Sequence, residues 1–475
     1  MADSNFLYYT EVLSQPDLKF MSLLNANFQK RVETEKEEFL SIAKDAGQEV
    51  DLLLQDGECI TYYRIDTMPE ARRILSQATL EERKKRSETF LDGLEYRSRI
   101  PQGMHDRGEA YVFADHPLEA EKDQVGHRNH LPIYVRTWSI LEKTVRPGEV
   151  WDVTLHPSEF GVDEKEEMYN ILNVGRLILQ GNASVLVRGN AFVFTCQQIV
   201  KEGASGSEYD IGILGTPHGF GMRRGLFDGR DGKDGMQGKN GSDGTKPVLG
   251  MSFLGKVLPV SFDPKSMYGH DGKDGENGEN GEDGLNGGAC RITEINLRSI
   301  VSEVPVIIGV IPGNGGNGGN GGNGGNGGNG GDGGNGGSGV DEIKLSGRST
   351  IGPGKGGNAG KGGCGGRGGR AGHSGISSNV FITVPRSQES LIRCYSLTGK
   401  AGIPGMGGWA GKDGLRGKDG LAINNSFLDI NATEDDLGAV NQARNGREGL
   451  CMPPAKIYIN NELQKVNKKT GNIII

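Results

Sequence analysis

The pattern of hydrophobic and polar positions divides the chain into three parts, and the first, residues 1–105, is helical. Thr79-Leu-Glu-Glu82 has the spacing of a capping box, and a charged helix continues after it. Pro69 stands near the first turn of another helix, where its missing N–H costs least. A third apolar and charged pattern ends on Gly47, which is a typical helix stop. The sequence therefore predicts a segment of amphipathic helices.

The second part, residues 106–220, has the alternating apolar pattern of β-strands. A short repeat with a step of eight aligns Leu177, Val185 and Val193, and a Gly-Asn turn dipeptide follows each of the first two strands. Equal steps and identical turns favour consecutive faces of a β-solenoid. Consecutive hairpins, as in a sandwich, would give the same pattern, so the sequence leaves both arrangements open.

The third part, residues 221–475, alternates glycine runs with apolar, strand-like segments. A period of three suits neither an α-helix nor a strand, but it is the period of the polyproline II helix. Such a helix makes no internal hydrogen bonds, so each N–H and C=O needs a partner elsewhere. Glycine recurs at every third position in five stretches, here named runs 1 to 5: 229–244, 269–287, 313–339, 354–375 and 399–420.

Three arrangements would satisfy the backbone of the runs: a solvated tether, a collagen triple helix or a bundle made by one chain. Runs 1 to 3 contain no proline, which argues against collagen, and the regular alternation with core-like strands argues against a tether. Glycine at each third position leaves one edge of a run without Cβ atoms, so that neighbouring backbones can approach. The structural glycines expected at such edges are represented by Gly229, Gly269, Gly315, Gly318, Gly354 and Gly399.

The predicted fold class is therefore multidomain α + β. N-terminal helices (1–105) precede a β domain (106–220, solenoid or sandwich), and a single-chain bundle of five glycine-rich polyproline II helices is mounted on a β layer (221–475). Runs 1, 2 and 5 mostly have one glycine per turn, which suits the periphery of a bundle. Run 3 and much of run 4 have two, so these runs are expected in the middle.

Composition and charge narrow the function. Glycine accounts for 80 of 475 residues, and the net charge of −8 gives no reason to expect a nucleic-acid partner. The six cysteines do not form a disulfide framework, and no secretory signal or membrane-spanning stretch is visible. The sequence thus indicates a protein that is cytoplasmic, virion-associated or released by a non-classical route.

The sequence offers few residues for catalysis. His127-x-x-His130, with carboxylates nearby, is a candidate metal site. There is no Gly-x-Ser-x-Gly elbow in a suitable context, and no cofactor is predicted. If residues 106–220 form a solenoid, polysaccharide-acting chemistry is conceivable by analogy of fold alone.

The alternation of glycine-rich runs with other segments over about 225–420 resembles the distal tail-fibre adhesins of T-even-type bacteriophages and, more weakly, the springtail glycine-rich antifreeze protein. The resemblance to the adhesins implies that loops between runs bind a receptor. Candidate loops are 214–227, 245–251 and 402–409, with Phe220, Phe227 and Trp409 as binding residues.

The predicted function is thus non-catalytic: a structural or surface-recognition, adhesin-like protein. Its expected partners are a glycan or cell-surface receptor and an assembly partner that docks through the N-terminal helices. The alternatives are a toxin without a secretion signal and a polysaccharide-acting β-solenoid enzyme.

Overall fold

The computed structural model has few helices and large β-sheets, in agreement with the predicted α + β class. Within the residues that it describes, no helix is long and apolar enough to cross a membrane. Those residues are 36–75, 78–90, 112–113, 131–162, 168–203, 206–215, 228–245, 248–251, 253, 257–261, 263–332, 354–420 and 441–465.

The predicted N-terminal helices are present in the described region. Their bounds are 36–45 (α1), Val50–Asp56 (α2), Met68–Leu75 (α3) and Leu80–Phe90 (α4). The capping box of α4 is confirmed, because the Thr79 N–H donates to Glu82 Oε2 at 2.8 Å and the Glu82 N–H donates to Thr79 Oγ1 at 3.3 Å. The turn after α1 ends on Gly47, whose φ of 73° suits glycine.

One element contradicts the helical interpretation of residues 1–105. Glu58–Ile65 is a strand, β1, which pairs antiparallel with β2 (Ile133–Val145). Its residues alternate between exposed and half-buried, as expected for a strand with one covered face. The stretch is rich in β-branched and aromatic residues, and pairing with β2 satisfies its backbone hydrogen bonds. These residues are therefore more stable as a strand than as a continued helix.

The strands of the first sheet come from the whole described chain. Every neighbouring pair in this sheet is parallel, except for the antiparallel pair at each of its two ends. The strands follow the order β1, β2, β4 (Met168–Gln180), β6 (Ala191–Glu202), β10 (Thr293–Leu297), β13 (Val380–Thr383), β15 (Ile457–Ile459) and β16 (Glu462–Leu463), and β11 (Ile300–Ser302) also pairs with β6.

The second sheet is entirely parallel. Its order is β14 (Ile392–Ser396), β12 (Val306–Ile311), β7 (Ile211–Leu214), β5 (Ser184–Arg188) and β3 (Val150–Asp152). A separate antiparallel hairpin consists of β8 (Val248–Met251) and β9 (Val257–Ser261).

Consecutive strands alternate between the two large sheets from β2 to β7 and again from β11 to β15. The chain passes from β4 in the first sheet to β5 in the second and back to β6, which lies parallel to β4. These strands are therefore not consecutive hairpins. In the sheet Leu177 lies beside Ile199 and Val193 beside Ile171, so lateral neighbours are 22 residues apart. The step of eight in the sequence spans only one strand and its turn.

The main core lies between the two sheets and is built from aliphatic side chains with a few phenylalanines, such as Phe194. Strands on both sides of the predicted boundary at residue 220 contribute to it, for example β4 with Leu177 and β13 with Val380. A second cluster on the other face of the first sheet joins Val193 to Leu75 of α3. The helices thus cover the sheet, and the core continues into the glycine-rich part.

The described glycine runs have neither helical nor strand assignment, apart from one isolated bridge at Trp409. In chain order, runs 1, 3 and 5 follow β7, β12 and β14 of the second sheet, while runs 2 and 4 precede β10 and β13 of the first. The runs are therefore long excursions between a strand of one sheet and a strand of the other.

Candidate functional site

Runs 1 and 3 are joined by a repeated pair of hydrogen bonds. The Gly229 N–H donates to the Asn317 carbonyl at 2.7 Å, and the Asn317 N–H donates to Asp228 Oδ1 at 2.6 Å. The backbone bond recurs at every triplet up to Gly244. The side-chain bond recurs as far as Asp332, with one gap at Asn326. Gln237 stands in that gap, where the other triplets have Asp or Asn.

The same rule links the next runs. Asn317 Oδ1 accepts from the Ile403 N–H of run 5 at 2.8 Å, while the Gly318 N–H donates to the Ile403 carbonyl at 2.9 Å. Run 2 binds run 4 in the same way, through Asp271 Oδ1 and the Asn358 N–H at 2.6 Å. The Asn or Asp before each glycine is thus an acceptor for the neighbouring run. Sequence reasoning missed this role, although the frequent Asx-Gly dipeptides carried the signal.

A further set of bonds is made by the second glycine of each triplet in run 3. The Gly316 N–H donates to the Leu285 carbonyl of run 2 at 2.7 Å, and Gly319 bonds Glu282 in the same way. From Gly315 to Asp332 every N–H has an acceptor except that of Asn326. A glycine-rich segment without regular secondary structure therefore has its amides satisfied almost completely.

The runs differ in how many neighbours they bond. Within the described residues, run 3 bonds runs 1, 2, 4 and 5, and run 4 bonds runs 2, 3, 5 and a segment at 441–452. Run 1 bonds only runs 2 and 3 in this part of the chain. The runs with two glycines per turn thus have the most neighbours.

The glycines themselves are required by close approach. A Cβ built on Gly318 would lie closer than 3.0 Å to the Gly369 carbonyl, and one built on Gly319 would overlap the Arg230 carbonyl in the same way. Real Cβ atoms essentially never lie so close. The same holds for the predicted structural glycines Gly229, Gly269, Gly315, Gly354 and Gly399.

The segment 441–452 joins the runs although its sequence did not suggest it. The Gly446 N–H donates to the Gly405 carbonyl of run 5 at 2.9 Å, and the Ala443 N–H donates to the Gly408 carbonyl at 2.9 Å. Gly446 and Gly449 have the spacing of three, but two glycines are too few to reveal a period.

An exposed, mostly apolar stripe follows run 5 at every third residue, with Lys412 between Trp409 and Leu415. Ile403, Met406, Trp409 and Leu415 are 70%, 57%, 52% and 49% exposed. Their N–H groups all donate to Asn Oδ1 atoms of run 3, so the backbone under the stripe is fixed. If the run has the rise of polyproline II, consecutive positions are about 9 Å apart.

Trp409 is the one predicted binding aromatic that the structure describes. Its N–H donates to Asn323 Oδ1 at 2.9 Å, and its carbonyl accepts from the Gly324 N–H at 2.8 Å. The predicted loop 402–409 is therefore part of a bonded run and not a loop. Half of the predicted loop 245–251 is also wrong, because Val248–Met251 is a strand of the β8–β9 hairpin.

The other predicted site residues, Phe220, Phe227, His127 and His130, lie outside the described residues. Among those described, no group of three or more His, Cys, Asp or Glu side chains could hold a metal ion. A cavity of about 430 Å³ lies where the second sheet meets runs 1 and 3, lined in part by Arg188, Asp228 and residues 313–316.

The thiols of the core are poor nucleophiles. Cys196, Cys290 and Cys394 are buried, and burial raises the pKa of Cys196 and of Cys290 to about 12. Thiols protonated at neutral pH do not attack electrophiles readily. These cysteines therefore act as small apolar core residues.

The comparisons with known proteins give no match: no protein-family model, no curated protein and no solved structure resembles the chain significantly.

Proposed function

We propose that the glycine runs are polyproline II helices that pack, together with 441–452, into one single-chain bundle. Three observations support the proposal: the glycine period of three, the lack of internal hydrogen bonds along the runs, and partners for their amides on neighbouring runs. At about 3.1 Å per residue, the described part of run 3 would be about 60 Å long.

The bundle has two layers in this proposal. Runs 1, 3 and 5 form one layer with parallel neighbours, since Gly229 bonds Asn317 and Gly232 bonds Asn320 in the same register. Runs 2 and 4 with 441–452 form the other. Contacts between layers are antiparallel, as Gly316 with Leu285 and Gly319 with Glu282 indicate. Each layer continues one of the parallel sheets, which we interpret as the coils of a β-solenoid.

The function that this architecture supports best is non-catalytic surface recognition, as in an adhesin. The observation that carries it is the stripe on run 5: four large apolar side chains, separated by multiples of three residues, on a backbone fixed by Asn320, Asn323 and Asn329. An exposed patch of this kind is typical of an interaction site. Trp409 gives the stripe a flat apolar ring with a polar N–H, which suits stacking on a sugar ring of a surface glycan.

Binding to a glycan array tests the proposal. We expect the wild-type protein to bind a discrete set of glycans and Trp409→Ala to lose at least about tenfold in affinity, by analogy with interface hot spots. Met236→Ala is the matched control, because Met236 is 67% exposed on run 1, away from run 5. Binding that Trp409→Ala does not change, or an array without any signal, would contradict glycan recognition by the stripe.

A further inference from the structure

The two lateral edges of the layer formed by runs 1, 3 and 5 differ in their hydrogen bonding. Inside the layer, the N–H and C=O of Asn320 are bonded by Asp231 Oδ1 and the Gly232 N–H of run 1. Asp231 of run 1 is the residue equivalent to Asn320 of run 3. A further run on the outer side of run 1 would bond the N–H and C=O of Asp231 in the same way. No described residue makes those bonds at Asp231, Asp234 or Gln237, and all three residues are exposed. Among the described residues, run 1 therefore ends the layer with unpaired backbone groups, which we call its open edge.

The opposite edge is closed by side-chain chemistry. Asn320 Oδ1 of run 3 accepts from the Met406 N–H of run 5. The asparagines of run 3, such as Asn320, have equivalents in run 5, which are the residues whose N–H groups donate to run 3. These equivalents are Ile403, Met406, Trp409, Lys412, Leu415 and Lys418. None of these side chains has an oxygen acceptor like Asn or Asp Oδ1, so a further run cannot be bonded in the same way.

The second layer has the same open edge on run 2. Asp271, Asp274 and Asn277 accept from run 4 through their side chains. Their own N–H and C=O groups have no bonds to any described residue, and all three residues are exposed. In the part of the chain that the structure describes, both layers thus have unpaired backbone groups on the side of runs 1 and 2, as an edge strand does in a β-sheet.

We propose that the open edge of run 1 binds, in trans, an extended polypeptide segment with Asn-Gly or Asp-Gly at every third residue. Each glycine N–H of the segment donates to a carbonyl of run 1, such as that of Asp234. Each Asn or Asp Oδ1 of the segment accepts from an N–H of run 1, again such as that of Asp234. This is the bonding that run 1 itself makes with run 3. The inference rests on the proposed bundle, but it does not depend on receptor binding by the stripe.

The geometry of the runs sets the chemistry of this partner. Run 1 approaches run 3, its lateral neighbour, so closely that a Cβ on Gly238 would lie 2.8 Å from the Gly328 nitrogen, and one on Gly241 would lie 2.9 Å from the Gly331 nitrogen. A segment that docks in the same way needs glycine at each third position. A second copy of this chain cannot use run 5 for the purpose, because that edge lacks the acceptor side chains. The occupant is therefore a glycine-rich segment of another chain, recognised along its backbone as in β-augmentation.

The experiment uses the full chain and a fluorescent peptide with the sequence of residues 228–244, followed by fluorescence anisotropy. A control peptide has every glycine replaced by alanine. We expect saturable binding of the first peptide and at least tenfold weaker binding of the second. No binding, or equal binding of both peptides, overturns the proposal.

Gln237→Pro tests the position of the site. The substitution removes an N–H in the middle of the open edge. The Gln237 N–H has no partner among the described residues, and proline suits a polyproline II backbone. We expect at least tenfold weaker peptide binding with an unchanged melting temperature, while Met236→Ala binds as the wild type does. Unchanged binding by Gln237→Pro contradicts the proposal.

Light scattering and the glycan array distinguish binding of a glycine-rich segment from pairing with a second copy and from receptor recognition. If the chain is a dimer by light scattering and Gln237→Pro makes it a monomer, the edge pairs with a second copy and the proposed occupant is wrong. If the glycan array shows its expected profile and the peptide does not bind, this inference fails alone. If the peptide binds and the array is blank, receptor recognition fails alone.

Discussion

The two large sheets and the glycine runs satisfy their backbones in different ways. In the sheets, strands pair through backbone hydrogen bonds while side chains such as Phe194 and Leu177 fill the space between the layers. In the runs, the space between backbones is too small for a Cβ, and glycines such as Gly319 occupy it. The sheets therefore gain stability mainly from apolar burial, the runs mainly from hydrogen bonds.

Different kinds of residue therefore determine the packing of the two regions. In the sheets, side-chain volume and shape fix the packing, so loss of volume is harmful. In the runs, the absence of a side chain permits contact, and Asn or Asp adds an acceptor that fixes the register, as Asn317 and Asp228 show. A substitution that is mild in one region is thus severe in the other.

The largest effect is expected in the sheets, for Phe194→Ala. Phe194 is fully buried and stacks on Phe192 with ring centroids 5.8 Å apart. Truncation leaves a cavity and should lower the free energy of unfolding by about 3–5 kcal/mol. Denaturant unfolding followed by circular dichroism measures it. A loss below about 1 kcal/mol would mean that this core is not tightly packed.

Gly322→Ala should have the next largest effect on stability, because it disrupts the contact between runs 1 and 3. Its Cβ would overlap the Lys233 carbonyl, so runs 1 and 3 must separate and lose several hydrogen bonds, each worth about 1 kcal/mol. We expect a lower melting temperature and loss of amide protection around residue 322. Ala359→Gly in run 4 is the control, because the chain already accommodates a methyl group there. Equal stability of Gly322→Ala and wild type would exclude the close contact.

A smaller, opposite effect is expected for Gln237→Asn. Between 315 and 332, the N–H of Asn326 alone has no acceptor among the described residues, and it faces the triplet in which Gln replaces Asn or Asp. The shorter side chain would supply the missing acceptor and add about 0.5–1.5 kcal/mol. Protection of the Asn326 amide in the variant, measured by hydrogen exchange, checks this. An Asn326 amide that is already protected in the wild type would contradict the role assigned to Asx side chains.

The smallest effect is expected for the pH dependence of stability that comes from Glu82, in the capping box of α4. Burial raises the pKa of Glu82, but hydrogen bonds from Thr79 and the charge of Arg86 outweigh burial and hold this pKa below its usual value. The stabilisation is therefore present above the carboxyl's unfolded-state pKa of about 4.3 and is lost as the pH falls through the lower folded-state value. Between pH 6 and pH 3 the wild type should lose more stability than Glu82→Gln. Equal losses in urea unfolding would show that the capping carboxylate contributes nothing.

The sequence predicted local elements well where short-range chemistry decides them. The capping box at Thr79 and the stop at Gly47 depend on neighbouring residues alone. Strand β1 was missed because its partner, β2, lies far along the chain. The alternation of strands between two sheets was left open for the same reason, since neighbours such as Leu177 and Ile199 are set by tertiary pairing.

The candidate site was predictable only in part. Trp409 stood out as an aromatic residue in polar surroundings. Its neighbours in the stripe were missed because only part of run 5, residues 402–409, was considered as a binding loop, and side chains three residues apart were not compared. The acceptor role of Asn could have been inferred from the repeated Asx-Gly dipeptides. The open edge of run 1 could not, because it depends on which run follows which in the layer.

The most direct test of this account is residue-resolved hydrogen exchange of the native chain, because the central claim is that the runs satisfy one another's amides. In run 3, protection is expected at every amide from 315 to 332 except Asn326. In run 1, the glycine amides should be protected, while those of Asp231, Asp234 and Gln237 exchange quickly. Exchange of residues 315–332 at the rate of an unfolded peptide would contradict the claim.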